Sequence, residues 1–251
     1  VKPGAHDRTA TASAGHAPMT TECRFRGMRR RYDRPMRRRD PAATPPSRAR
    51  GIRMHRPAFH PLHDFPKLEP LGRHWQAIRE EFLALHAPML GIDRVGKTHA
   101  EVFAELGRHM DGGGEFGWVL GWPDNPNWVQ YVLLLNDVPL PFLRSAFPKA
   151  LALVAQLSGV KICGFSRVLP NGFLPTHRHP ELIAENLLQC HLTIDAPTQD
   201  NYCYLNVGGE FRQHTNGSML VFDGSHDHFA VNASTTPRTI LYLEFDRSKA
   251  A

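Results

Sequence analysis

Apolar positions recur at helical spacing early in the patterned part of the chain and as short continuous runs later. In HDFPKLEPLGRHWQAIREEFLALHAP, Leu71, Trp75, Ile78, Phe82 and Leu85 follow one another at intervals of three and four. That spacing puts one apolar stripe on a helix, which Pro88 ends. A second short helix is expected around Lys97 to Met110, closed by the glycines Gly112 to Gly114. The rhythm then changes: EFGWVLGW and NWVQYVLLL, parted by PDNPN, predict strand, turn, strand. FPKALALVAQLSG predicts a third helix ended by Gly159.

From Lys161 onward the pattern is that of strands. KICGFSRVL, LLQCHLTI, NYCYLNV, SMLVFDG and TILYLEFD are short runs separated by the turn-forming NG, DAPTQDN, GGE and TNG. Strands at such regular spacing with turn signals between them indicate a sandwich or barrel. The expected architecture is mainly β, a small jelly roll with helices packed on one side. No internal repeat is visible.

Composition changes the picture at the N-terminus. With 251 residues, 41% of them hydrophobic, the chain can bury one sizeable core, so one domain plus a tail is the default. The net charge of +6 would suggest a nucleic-acid partner, but much of the excess arginine lies in RFRGMRRRYDRPMRRR. That run belongs to a Pro-, Ala-, Thr- and Arg-rich stretch without periodicity, read as a disordered tail over residues 1–55 ahead of a domain at 56–248. A solvated extension, or upstream sequence taken in by a wrong start, is favoured over an RNA- or membrane-touching arm. The cysteines Cys23, Cys163, Cys190 and Cys203 form no CxxC pair, and three of them sit in apolar segments, which suits reduced, buried thiols. No membrane-length apolar run and no secretory pattern is present, so the expectation is a soluble, cytoplasmic protein.

The candidate chemistry lies between Leu169 and Phe245. His177 and His228 each stand at the edge of an apolar run, far apart in sequence, and a jelly-roll path can bring such positions together. A mononuclear iron oxygenase needs two histidines, usually a carboxylate, and open positions for co-substrate and oxygen. Against that, a chain with 15 histidines places a pair near strand ends easily. Arg238, set in TTPRTILYLEF, is costly to bury unless an acid pairs with it; the alternative is an outward-facing arginine or an internal ion pair. Ser166 and His191 could hydrogen-bond the same acid, or be ordinary core polar residues.

FSRVLPNGFLPTHRHP, CHLTI, GSMLVFDGSHDHFAVN and PRTILYLEFD, together with the opening HDFPKLEPLGRHWQAIREEF, resemble the aspartyl/asparaginyl β-hydroxylase family, over about Phe65 to Asp246. The resemblance implies a double-stranded β-helix, the cupin-like form of jelly roll. It also implies dependence on Fe(II), O2 and 2-oxoglutarate. His177 and His228 fall on the family's iron ligands, and Ser166, His191 and Arg238 on the residues that hold the 2-oxoglutarate carboxylates. Two departures stand out. His179 replaces a small residue or aspartate, either as a third ligand or, the favoured reading, pointing away and leaving a water there. Gln189 stands where members acting on acidic side chains often carry arginine, which weakens the case for an aspartyl substrate. His214 and His226 are expected on the surface; Asp223 and Asp227 either orient His228 or simply form a turn.

The leading expectation is therefore a dioxygenase that hydroxylates the β-carbon of an aspartyl or asparaginyl residue, or of a related amino-acid-like small molecule. A lipid substrate is disfavoured for want of a membrane segment. The alternatives are a jelly-roll metalloenzyme that does not use 2-oxoglutarate, and a non-catalytic binding module on the same fold.

Overall fold

The computed structural model describes residues 56–92, 96–97, 99–121 and 125–251. The proposed tail over 1–55 and the first residues of the PDNPN turn lie outside the described residues, as does Cys23.

In chain order, strand β1 (Phe59–His60) leads through two 3-10 turns to helices α1 (Glu69–Arg73) and α2 (Trp75–Leu83). Helix α3 (His99–Asp111) precedes strands β2 (Val119–Gly121), β3 (Asn125–Leu135) and β4 (Val138–Pro139), and helix α4 (Pro148–Val154) follows. Then come β5 (Val160–Val168), β6 (Gly172–His177), helix α5 (Glu181–Ala184), β7 (Leu187–Asp195), β8 (Cys203–Val207), β9 (Glu210–Gln213), β10 (Met219–Phe222), β11 (His228–Asn232), β12 (Arg238–Asp246) and helix α6 (Arg247–Ala250).

Among the described residues the strands form an eight-stranded sheet, in the order β1-β10-β7-β12-β5-β3-β2 with β4 on β3, and a four-stranded sheet, β6-β11-β8-β9. All these pairings are antiparallel. From β5 to β12 the chain crosses repeatedly between the sheets: β5, β7, β10 and β12 lie in the large one, β6, β8, β9 and β11 in the small one. That alternation is the double-stranded β-helix, and it makes β6 and β11 neighbours although a long stretch of chain separates them.

Side chains alternate across a strand, and the large sheet uses both faces. On its outer face Cys163 and Phe165 of β5, Leu188, Cys190 and Leu192 of β7, and Leu241, Leu243 and Phe245 of β12 join the main core with Leu71, Ile78, Phe82, Phe147 and Leu151. Phe82 and Phe165 meet at 5.0 Å between ring centroids, anchoring α2 to the sheet. On the inner face the intervening positions Ser166, Gln189, His191, Arg238, Ile240, Tyr242 and Glu244 line a cavity between the sheets. A smaller apolar cluster of Ala58, Leu205, Val207, Phe222 and Ala230 joins the two sheets. Cys163, Cys190 and Cys203 are buried free thiols, and burial pushes the first two up, so they pack as small apolar groups.

The expected first helix is broken. His74, at φ −110° and ψ 21°, leaves the helical region, so α1 and α2 are separate, and α2 stops at Leu83 rather than running to Pro88. Its apolar stripe still works as read: Leu71, Ile78 and Phe82 are buried, while Trp75 and Leu85 pack half-buried against the same core. Helix α4 likewise ends at Val154; Gly159, at φ +75°, supplies the left-handed turn into β5 instead of capping the helix.

Candidate active site

The cavity between the sheets has a volume of about 510 Å³ and collects every site residue that the sequence singled out: Ser166, His177, His179, His191, His228 and Arg238. Three groups line it.

The first is a trio of imidazoles. His177 ends β6 and His228 begins β11, where the two pair directly across the small sheet with ring centroids 4.2 Å apart. A register shift between His228 and Ala230 marks a bulge, a local device for re-aiming a side chain. His179 follows in the turn after β6, held by its backbone N–H donating to Gly224 O at 2.8 Å. It does not point away as expected: one ligand atom from each of His177, His179 and His228 lies within 4.8 Å of the others.

The outer nitrogens of all three rings are engaged. Nδ1 of His177 lies 2.8 Å from Pro175 O, Nδ1 of His228 lies 2.9 Å from His226 O, and Nδ1 of His179 lies 3.0 Å from Glu181 Oε1. Carbonyl and carboxylate oxygens only accept, so each Nδ1 carries a proton, and a ring that is neutral keeps its lone pair on Nε2. Burial, with the neighbouring imidazole His177, pushes His228 down to about 3, and burial lowers His177 too. These rings stay neutral at neutral pH, the form that binds a metal. Burial pushes the Glu181 carboxyl up, but hydrogen bonds from its own backbone and from His179 outweigh that and hold it low. Three imidazoles with Nδ1 engaged, on one side of a cavity, are a donor set that fits a divalent transition metal.

The second group surrounds Arg238. This residue is 1% exposed, its Nε has no hydrogen-bond partner, and among the described residues no carboxylate pairs with it. Burial pushes its pKa down to about 10, which still leaves it charged at neutral pH. A buried cation without a counter-ion is costly, and an anionic ligand removes the cost. Ser166 stands opposite Ile240 in the register, its Oγ accepting from Trp128 Nε1 at 2.8 Å. His191 stands opposite Tyr242, with its Nδ1 3.2 Å from His214 Nε2. Burial, then the charge of Arg238, lowers both of these histidines well below the usual range. His214 is therefore not the surface residue expected from sequence; it is fully buried.

The third group was not read from the sequence as a site. Gln189 Nε2 donates to Tyr242 Oη at 2.7 Å and to Glu244 Oε1 at 3.2 Å, and the Tyr242 hydroxyl donates to the same Glu244 oxygen. Burial, then Glu244, raises Tyr242 well above its ordinary range, which keeps it a neutral donor. Strict alternation along TILYLEFD, starting from Arg238, was the signal that could have put Tyr242 and Glu244 in the cavity.

The aspartates beside His228 serve the turn. Asp223 Oδ1 accepts from Ser225 N at 3.0 Å and its other oxygen lies 2.7 Å from Arg56 Nε, while exposed Asp227 lies 3.8 Å from Arg178 Nε. The Nδ1 of His228 goes to a backbone carbonyl instead. His226 is half-buried, its Nε2 3.1 Å from Arg56 O.

Comparison with known proteins supplies the remaining findings. The family described as "Aspartyl/Asparaginyl beta-hydroxylase" matches residues 72–248. The ornithine lipid ester-linked acyl 2-hydroxylase of Rhizobium tropici is 27% identical over 118 residues, 47% of this chain and 41% of that relative. The chain thus spans well under half the length of that relative. Among solved structures, AerE from Microcystis aeruginosa aligns at 16% identity over 49% of this chain and 43% of its own, with a TM-score of 0.33. KdgF from Halomonas sp. aligns at 12% identity over 51% and 84%, also with a TM-score of 0.33. No described helix is long and apolar enough to cross a membrane.

Proposed function

The chain belongs to the aspartyl/asparaginyl β-hydroxylase family, and on that footing we propose that it is a 2-oxoglutarate- and Fe(II)-dependent dioxygenase acting on an amino-acid-like small molecule or residue. The observation that carries this reading is the presence, in one cavity, of three imidazoles with free Nε2 lone pairs and a buried arginine without a counter-ion. His177, His179 and His228 would hold the metal, and Arg238, Ser166 and His191 the dicarboxylate. Iron bound there would supply oxygen activation, coupling the decarboxylation of 2-oxoglutarate to succinate and CO2 with insertion of one oxygen atom into a substrate C–H bond.

The protein's own part is binding, orientation and exclusion of water. Carbonyls of Pro175 and His226 and the carboxylate of Glu181 fix the tautomers. Trp128 fixes the Ser166 hydroxyl by donating to its oxygen, which leaves the Ser166 proton for a carboxylate. Apolar Leu174, Leu205, Phe229 and Ile240 make the surrounding wall. A dry wall strengthens every charge interaction inside it.

Purified protein incubated with Fe(II), ascorbate and 2-oxoglutarate is expected to release succinate slowly without substrate, and Arg238→Ala to stop that release. Succinate formation that survives Arg238→Ala would favour a metalloenzyme independent of this co-substrate site. Total absence of succinate under all substrate mixtures would favour a binding module on the same fold.

A further inference from the structure

Glu244 is a carboxylate that holds neither the metal nor the dicarboxylate. It lies in the same cavity, on the same face of β12 as Arg238 but six residues along, so the two are roughly 20 Å apart at ~3.3 Å per residue. Two neutral donors, the Tyr242 hydroxyl and the Gln189 amide, converge on its Oε1. Among the described residues its Oε2 has no partner and no lysine or arginine forms an ion pair with the carboxylate. Lys161, which also lines the cavity, is paired with Glu185.

The neighbouring side chains turn their donors toward the Glu244 carboxylate. Gln189 is 1% exposed and turns its N–H toward this carboxylate although that leaves its own Oε1 buried over Gly224 without a partner. Tyr242 spends its proton there as well. Two neutral hydrogen bonds on one oxygen stabilise the charge but do not cancel it. The inner face therefore carries a guanidinium at one end and a carboxylate at the other. On β7, His191 stands opposite Tyr242 and Gln189 opposite Glu244, and the Phe222 ring lies 4.8 Å from His191 and 5.6 Å from His228.

We propose that the substrate brings a cationic nitrogen, an ammonium or guanidinium, to Oε2 of Glu244, with its apolar part along Ile162, Leu174 and Ile240. The proposal rests on the dioxygenase reading for the word "substrate", and on the Glu244 geometry for the charge. It makes the preferred compound a basic amino-acid-like molecule rather than an aspartyl one, because a carboxylate placed here would meet Glu244 with no free cation beside it.

The test uses a matched pair of probes, n-hexylammonium and 1-hexanol, titrated calorimetrically into the full chain at neutral pH. Wild type is expected to bind the ammonium about tenfold more tightly, the scale of one hydrogen bond to a charged group. Glu244→Gln, checked by circular dichroism for an unchanged fold, is expected to lose that preference. Equal affinity of wild type for the two probes, or a preference that survives Glu244→Gln, would overturn the proposal. The wild-type comparison stands even where the variant does not fold. Titration of 2-oxoglutarate into wild type separates the two readings. Ammonium preference without 2-oxoglutarate binding sinks the co-substrate reading and sustains this one; the reverse pattern sinks this one alone.

Discussion

His177 and His228 are direct cross-strand partners, the last residue of β6 opposite the first of β11, with ring centroids 4.2 Å apart. Directly opposed positions put side chains on the same face of a sheet, and the bulge after His228 adjusts the aim. A metal held by this pair depends on both rings. His177→Ala and His228→Ala are each expected to weaken Co(II) binding by at least about a hundredfold while leaving the far-ultraviolet spectrum unchanged, since second-shell losses alone cost 10–100-fold. Titration calorimetry checks this, and near-wild-type affinity in either variant would remove the pair as ligands.

His179 separates two designs of the same site. Its ring lies 5.1 Å from that of His177 and 5.6 Å from that of His228, with Nδ1 bonded to Glu181. As a third ligand, His179→Ala should weaken Co(II) binding by about tenfold or more and alter the visible spectrum of the bound ion. An unchanged affinity and spectrum would assign His179 to the wall of the site. Glu181→Gln should give a smaller loss of the same sign, because an amide orients the ring less firmly than a carboxylate.

The sequence made the large sheet legible because β5, β7 and β12 are buried on both faces and read as near-continuous apolar runs. The small sheet was harder to see. GFLPTH contains a proline and exposes half of its residues, and EFRQ is exposed throughout, so neither reads as a continuous buried apolar run. His177 and His228 were still picked out, since LPTHRHP and FDGSHDHFAVN resemble motifs of the family. His214 was misread for a reason that no local pattern carries. It follows exposed β9 and precedes a glycine turn, yet its N–H donates to Cys203 O at 2.9 Å and its carbonyl accepts from Asn201 at 2.7 Å, which turns the ring inward onto His191. Gln189, noted only as a departure, proved to be hydrogen-bonded to Glu244, a contact between adjacent strands that spacing along one strand does not reveal.

The buried pair His191 and His214 gives the fold an acid sensitivity of defined sign. Burial first, and the charge of Arg238 second, hold both well below the usual histidine range. In the unfolded chain each would titrate near ~6.5. Below that pH the unfolded state binds more protons than the folded one, so stability is full above it and falls as the solution is acidified. The urea midpoint is therefore expected to drop between about pH 7.5 and pH 5, before most carboxylates titrate, and to drop less in His214→Asn. A midpoint that does not move over this interval would contradict the burial of the pair.

Arg238 sets ligand binding against stability. The guanidinium is 1% exposed, has an unpartnered Nε and meets no carboxylate among the described residues, so the ligand-free fold bears the desolvation of a charge that nothing offsets. Methionine fills similar volume without that charge, and Arg238→Met is expected to raise unfolding stability by on the order of 1–3 kcal/mol. The same change should abolish 2-oxoglutarate binding, since the neutral side chain offers the carboxylate nothing. In wild type, adding 2-oxoglutarate at a hundred times its dissociation constant should recover about 2.7 kcal/mol by mass action, seen as a rise in the melting temperature. The variant should start from the higher melting temperature and show no such rise. A destabilised Arg238→Met that still responds to 2-oxoglutarate would mean that the guanidinium is paired within the folded chain and that the dicarboxylate binds elsewhere.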